Sequence, residues 1–107
     1  ARSRIAKLNS IEGMHWCMVD SSQAALMLAG KLPPSPEHIP EMLQETFVTK
    51  GMLKSRYIDW FKELYILHKD ITHGVINNVK SDSLDVWYAR SEEFLGAMTS
   101  LIDQILK

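Results

Sequence analysis

Two histidines stand five residues apart in the stretch His68-Lys69-Asp70-Ile71-Thr72-His73-Gly74, with a lysine and an aspartate between them and a glycine after them. Imidazole is the side chain whose unperturbed charge change falls between about pH 5 and 8, so such a pair can move a proton, hold a phosphate or bind a metal. The choice depends on where each ring points. At about 100 degrees per residue, Tyr57, Phe61, Leu64, Tyr65, Ile71 and Val75 mark one apolar side of a helix, and His68 falls in the middle of that stripe. His73 lies about 140 degrees away by the same arithmetic, among Asp59, Lys62, Ile66, Lys69 and Asp70 on a mostly charged side. The expectation is a neutral core His68, bonded to a backbone carbonyl or a tyrosine, and an outward His73.

Metal chelation by the pair is disfavoured, because two histidine ligands from one helix usually share a face at a spacing of four. No metal is expected. The ligand-binding candidates are therefore Asp59, Lys62, Lys69, Asp70 and His73, against the plainer alternative of a solvated charged face. Ser21, Ser22 and Gln23 form a polar island in an otherwise apolar segment. Ser22 and Gln23 join the candidates, the alternative being that these groups satisfy each other within a packed interior. No cofactor is implied, since the chain has no glycine-rich phosphate loop and no nucleophile elbow.

Apolar spacing and breakers divide the chain into four helical segments, with no period-two strand. The first spans about Ser3 to Ala29 and stops at Gly30. The loop "KLPPSPEHIP" carries all four prolines. A short helix follows over about Pro40 to Thr49, then a third from Lys54 to His73, ended by Gly74. The fourth extends to Leu106, with Ser81, Asp82 or Ser83 as its cap. Its stripe of Leu84, Trp87, Tyr88, Phe94, Leu95, Met98, Leu101, Ile102 and Ile105 is core-facing. The first helix is apolar nearly all round between Met14 and Ala29, which predicts burial on two sides, the second side by another copy of the chain. Packing centrally between its own neighbours is the alternative. The fold class is all-α: an up-and-down four-helix bundle with room for one additional short helix.

With 107 residues the chain is a single domain, 1–107, and a net charge of -1 gives it no basic field for unselective nucleic-acid binding. One cysteine, Cys17, excludes an internal disulfide and is expected to be buried. No apolar run reaches the roughly 18 residues of a membrane span, and a reducing cytoplasm suits the lone thiol. Trp16, Trp60 and Trp87 read as core and interface anchors. The non-Met opening "ARSRIAKLNSIEG" predicts a longer polypeptide, of which this is the C-terminal part.

"HWCMVDSSQAALMLAGKLPPSPEHIPEML" resembles the opening of HEPN domains: an apolar helix with a Gln-Ala pair (Gln23-Ala24), a proline-rich turn (Pro33-Pro34), a histidine (His38) and a short helix bearing Leu43. "LYILHKDITHG" resembles the third helix of HEPN domains in archaeal proteins that carry a nucleotidyltransferase domain on the N-terminal side. The resemblance covers most of the chain and implies a dimeric helical bundle, paired through helices one and three and associated with nucleotide or RNA chemistry. HEPN ribonucleases use an arginine followed after four to six residues by a histidine, without metal. His73 matches the histidine and would be the catalytic acid or base, but His68 stands where the arginine belongs and Arg56 is too far back. Leu26 occupies the region where members often carry a carboxylate. The resemblance therefore implies the non-catalytic branch, a dimerising, nucleotide- or substrate-binding partner of a nucleotidyltransferase domain or subunit. The alternatives are a metal-independent ribonuclease and a purely structural dimer.

Overall fold

A computed structural model describes residues 4–107. Four α-helices form an all-α bundle: α1 (Arg4–Leu28), α2 (Ile39–Leu43), α3 (Ser55–Thr72) and α4 (Ser81–Leu106). No strand occurs among the described residues. The expected start of the first helix at Ser3 lies outside them. At 1.5 Å per residue the 26 residues of α4 reach about 39 Å, close to the 43 Å long axis of the molecule. The long pair α1 and α4 is thus the spine, against which α2 and α3 pack.

The ends of the helices are set by glycine where the chain has to reverse. Gly30 takes φ +83°, its N–H donates to the Met27 carbonyl at 3.0 Å, and the Lys31 N–H donates to Leu26 at 2.9 Å. Gly74 repeats the device at φ +75°, with its own N–H on Ile71 and the Val75 N–H on Asp70. These paired bonds satisfy carbonyls that a helix end leaves open. Val75, expected on the buried side, is 74 % exposed, because the helical period stops before it.

The second segment differs from a plain helix. A single 3₁₀ turn over Pro36–His38 precedes α2, and Gln44–Val48 is a π-turn. The cause lies at Thr49, whose hydroxyl donates to the Glu45 carbonyl at 2.7 Å while its N–H reaches one residue further back to Gln44 at 3.0 Å. The side chain takes the acceptor that an α-helix would give to the amide. None of Ser81, Asp82 and Ser83 caps α4. Lys80 occupies the cap position without a side-chain bond, and Asp82 instead lies in the first turn, where the helix dipole favours its charge.

Ile11, Met18 and Leu26 of α1, Ile39, Leu43 and Phe47 of the second segment, Phe61 and Leu64 of α3, and Leu84, Phe94, Met98 and Leu101 of α4 form the core. Leu95 does not join them and is 42 % exposed, since it is turned about 100 degrees from Phe94. Helices α3 and α4 run antiparallel, as the pairs Tyr57–Glu93 (3.0 Å) and Glu63–Arg90 (2.9 Å) show. Arg90 also lies over Trp60 and Trp87, 5.3 and 5.0 Å from the two rings. Within the single chain only one side of α1 is buried, so it does not pack centrally between its own neighbours, and Cys17, expected inside, is exposed together with Trp16, Met27 and Leu28. No described helix is long and apolar enough to cross a membrane.

Candidate functional site

His15 shares the phase of Ile11, Met18, Ser22 and Leu26 on the inner side of α1 and is only 3 % exposed. From α3, His68 meets it face to face. The rings stack with centroids 4.1 Å apart and planes 10° from parallel. Trp16 closes one side edge-on, 5.1 Å from His15 and 6.0 Å from His68, and Tyr65 stands 5.9 Å from His15. These four rings form the inner part of a cleft of about 250 Å³. Lys69 and Thr72 from the last turn of α3, with His73 just after it, make one rim, and Pro36 and Glu37 from the 3₁₀ turn make the other.

Both rims are tied down locally. The His73 N–H donates to Lys69 at 2.9 Å just before the Gly74 reversal, and the Thr72 hydroxyl donates to the His68 carbonyl at 2.9 Å. Across the cleft, the Ser35 hydroxyl donates to the Glu37 carboxylate at 3.2 Å. Gln23 of α1 donates to the Pro34 carbonyl at 2.9 Å and so fastens the proline loop to the bundle.

Burial, then the neighbouring His68, pushes the His15 imidazole down from 6.5 to about 4, so it is neutral around pH 7. Two positive rings at this separation would repel by about 4 kcal/mol at an effective dielectric near 20, so the stack disfavours two positive charges at once. The ring lone pairs lie in two nearly parallel planes, a poor arrangement for both histidines to converge on one ion. Among the described residues no set of three or more His, Cys, Asp or Glu side chains is placed to hold a metal.

The expected partition of the two α3 histidines is corrected in one respect. His68 is half-buried rather than sealed in the core, and its ring partner is His15, not a carbonyl or a tyrosine. His73 is exposed as expected, yet both line the same cleft. The interval of five residues separates their directions on the helix, but His73 follows the last helical residue and the cleft wraps that end.

Of the other candidates, Lys69 lines this cleft. Lys62 lies in a second depression with Glu37, Pro40, Glu41, Gln44 and Ile58, and Asp59 is exposed further toward the start of α3. Asp70 is half-buried outside the cleft, its carbonyl accepting from Val75 and Ile76 at 2.9 and 3.2 Å. Ser22 is 0 % exposed and its hydroxyl has no hydrogen-bond partner, so no ligand on the surface reaches it. Gln23 is occupied by the proline loop.

His15, Trp16, Tyr65, Thr72, Pro36 and Glu37 line the cleft without being among the candidates, Trp16 being expected as a core or interface anchor. A signal for His15 exists in its spacing from Ile11, Met18 and Leu26, which marks it as inward-facing. None exists in local sequence for its meeting with His68. No protein-family model matches the chain, and no curated protein or solved structure matches it either.

Proposed function

We propose that the chain is a nucleotide-binding helical module, acting as the substrate-binding and dimerising partner of a nucleotidyltransferase domain or subunit in the manner of non-catalytic HEPN domains. The observation that carries the nucleotide part is the division of the cleft into an aromatic interior of Trp16, Tyr65 and the stacked imidazoles, and a polar rim of Lys69, His73 and Glu37. A base packs against the rings, where stacking contributes about 1–3 kcal/mol per base. Lys69 and His73 meet the phosphate, and Glu37 accepts from ribose hydroxyls. At about 250 Å³ the cleft falls just below the roughly 300–1,000 Å³ typical of small-molecule sites, which limits the ligand to a single nucleotide or a part of one. The four-helix architecture and the two stretches that resemble HEPN sequences support the family reading. The cytoplasmic assignment rests on the single free thiol of Cys17.

Titration with adenosine monophosphate, followed by amide shifts and by Trp16 fluorescence, tests this reading. Perturbation around Trp16, Tyr65, His68 and His73, weakened by Lys69→Ala, is expected. Unmoved resonances at millimolar ligand reject it.

A second reading, a metal-independent ribonuclease, gains from one observation: His68 and His73 line one cleft with Lys69 between them in sequence. One imidazole would take the proton of a ribose 2′-hydroxyl as it attacks phosphorus. The other would protonate the departing 5′-oxygen, leaving a 2′,3′-cyclic phosphate, with Lys69 stabilising the charge on the phosphorane. Cleavage of RNA in chelator that is lost in His73→Ala supports it, and equal inertness of the two proteins rejects it.

A further inference from the structure

The two stacked rings differ in their access to the cleft. His15 is enclosed, whereas His68 is half-buried and lines the cleft together with Lys69 and His73. The titratable and charged groups that face them are Tyr65 and Lys69 from α3, His73 just past its end and Glu37 from the 3₁₀ turn, while α2 and α4 contribute none to the cleft walls. Glu37, more than half exposed and 3.8 Å from His38, offers only a solvent-screened negative charge here. An anion seated against Lys69 and His73 brings a nearer one, and an opposite charge within about 4–6 Å favours the charged form of an ionisable group.

We infer that the cleft takes up a proton together with its anionic ligand, the proton lodging on His68 while neutral His15 presents its ring face to the imidazolium. The face of a neutral π-system attracts a cation, most strongly where water is excluded, and the 10° parallel geometry presents that face to His68. Burial that holds His15 well below its ordinary value is what keeps it the neutral member. His15 is then a positioning residue that touches no ligand, and His68 is the group that adjusts its charge to the ligand. The inference rests on the nucleotide reading and adds its regulation: the site fills more readily as pH falls and discriminates charged nucleotides from uncharged nucleosides. The proton comes from solvent and returns there on release, so no bond in the ligand changes.

The test is calorimetry of the intact chain over about pH 5.5–8, in two buffers of contrasting ionisation heat. The probes are adenosine 3′,5′-cyclic monophosphate, whose phosphodiester does not titrate in that range, together with adenosine and inorganic sulfate. The association constant of the cyclic nucleotide is expected to rise by up to about tenfold per unit fall in pH, the limit for one linked proton, with net proton uptake. Adenosine shows neither effect. His68→Phe keeps a stacked ring but flattens the pH profile, and His15→Phe, which retains a neutral ring face, preserves it. A purely structural role for the stack would leave both profiles alike. Cyclic nucleotide binding without proton uptake overturns this inference and leaves the nucleotide reading standing. Sulfate binding with uptake while both nucleosidic probes fail keeps the proton linkage and overturns the nucleotide reading. Failure of all three probes at every pH overturns both.

Discussion

The imidazoles of His15 and His68 lie flat against each other, 4.1 Å between centroids, and in doing so join α1 to α3 at the floor of the cleft. The contact suits a neutral His15 and resists its protonation. The folded value near 4 lies below the unfolded value of 6.5, so between those limits the unfolded chain binds more protons. Stability from this source is complete above about pH 6.5 and is lost as pH falls toward 4, by on the order of 2–3 kcal/mol. Urea unfolding at about pH 7.5 and 4.5 measures the loss. In His15→Phe this part of the slope disappears, and an unchanged slope would assign it to other groups.

Tyr57 should resist ionisation. Burial first, then its hydrogen bond to and the charge of Glu93, raise its phenol above the ordinary 10.0, although Arg56 pulls the other way. Ultraviolet titration of Glu93→Gln against the parent chain is expected to show the Tyr57 transition moving down. Tyr57→Phe should cost about 1 kcal/mol, the usual net worth of one hydrogen bond.

Gly74→Ala is expected to destabilise by roughly 1–2 kcal/mol, because φ +75° is a left-handed conformation that a side chain resists. Space is not the reason, since a Cβ there meets nothing within 4 Å. Thermal melts should show Gly74→Asn intermediate between the two. The amide signals of His73 should move with the substitution, since the reversal sets the direction of that rim.

Met27 and Leu28 are 57 % and 46 % exposed near the end of α1, on the side that the chain's own core does not cover. In the proposed dimer they are contacts between copies. Light scattering should report a dimer for the parent chain and a shift toward monomer for Met27→Asp with Leu28→Asp. A monomeric parent at about 0.1 mM would remove the dimer, whose affinity should exceed that level for an interface of standard size.

The helices were legible because glycines and prolines punctuate the chain and because α4 keeps a three-four apolar spacing from Leu84 through Leu101. Less legible is the outer side of α1, where Trp16, Cys17, Met27 and Leu28 are apolar in type yet exposed in the single chain. Apolar residue types record what burial would favour, not whether a neighbour is present. Lys69 and His73, both on the charged side that the α3 spacing marks, line the cleft, but its other walls come from His15 and Trp16 of α1 and Glu37 of the proline loop, and no local spacing encodes which ring of a distant helix will meet His68. The π-turn was similarly silent, since it depends on how one hydroxyl at Thr49 divides two carbonyls.

The bond from Gln23 to the Pro34 carbonyl has a mechanical consequence. Pro36 and Glu37 follow only two and three residues later, so this amide acts as a latch that gauges how far the outer jaw stands from the rings. A side chain that no bound molecule need ever touch would therefore help decide which molecules fit, and shortening it to alanine would alter selectivity from outside the pocket.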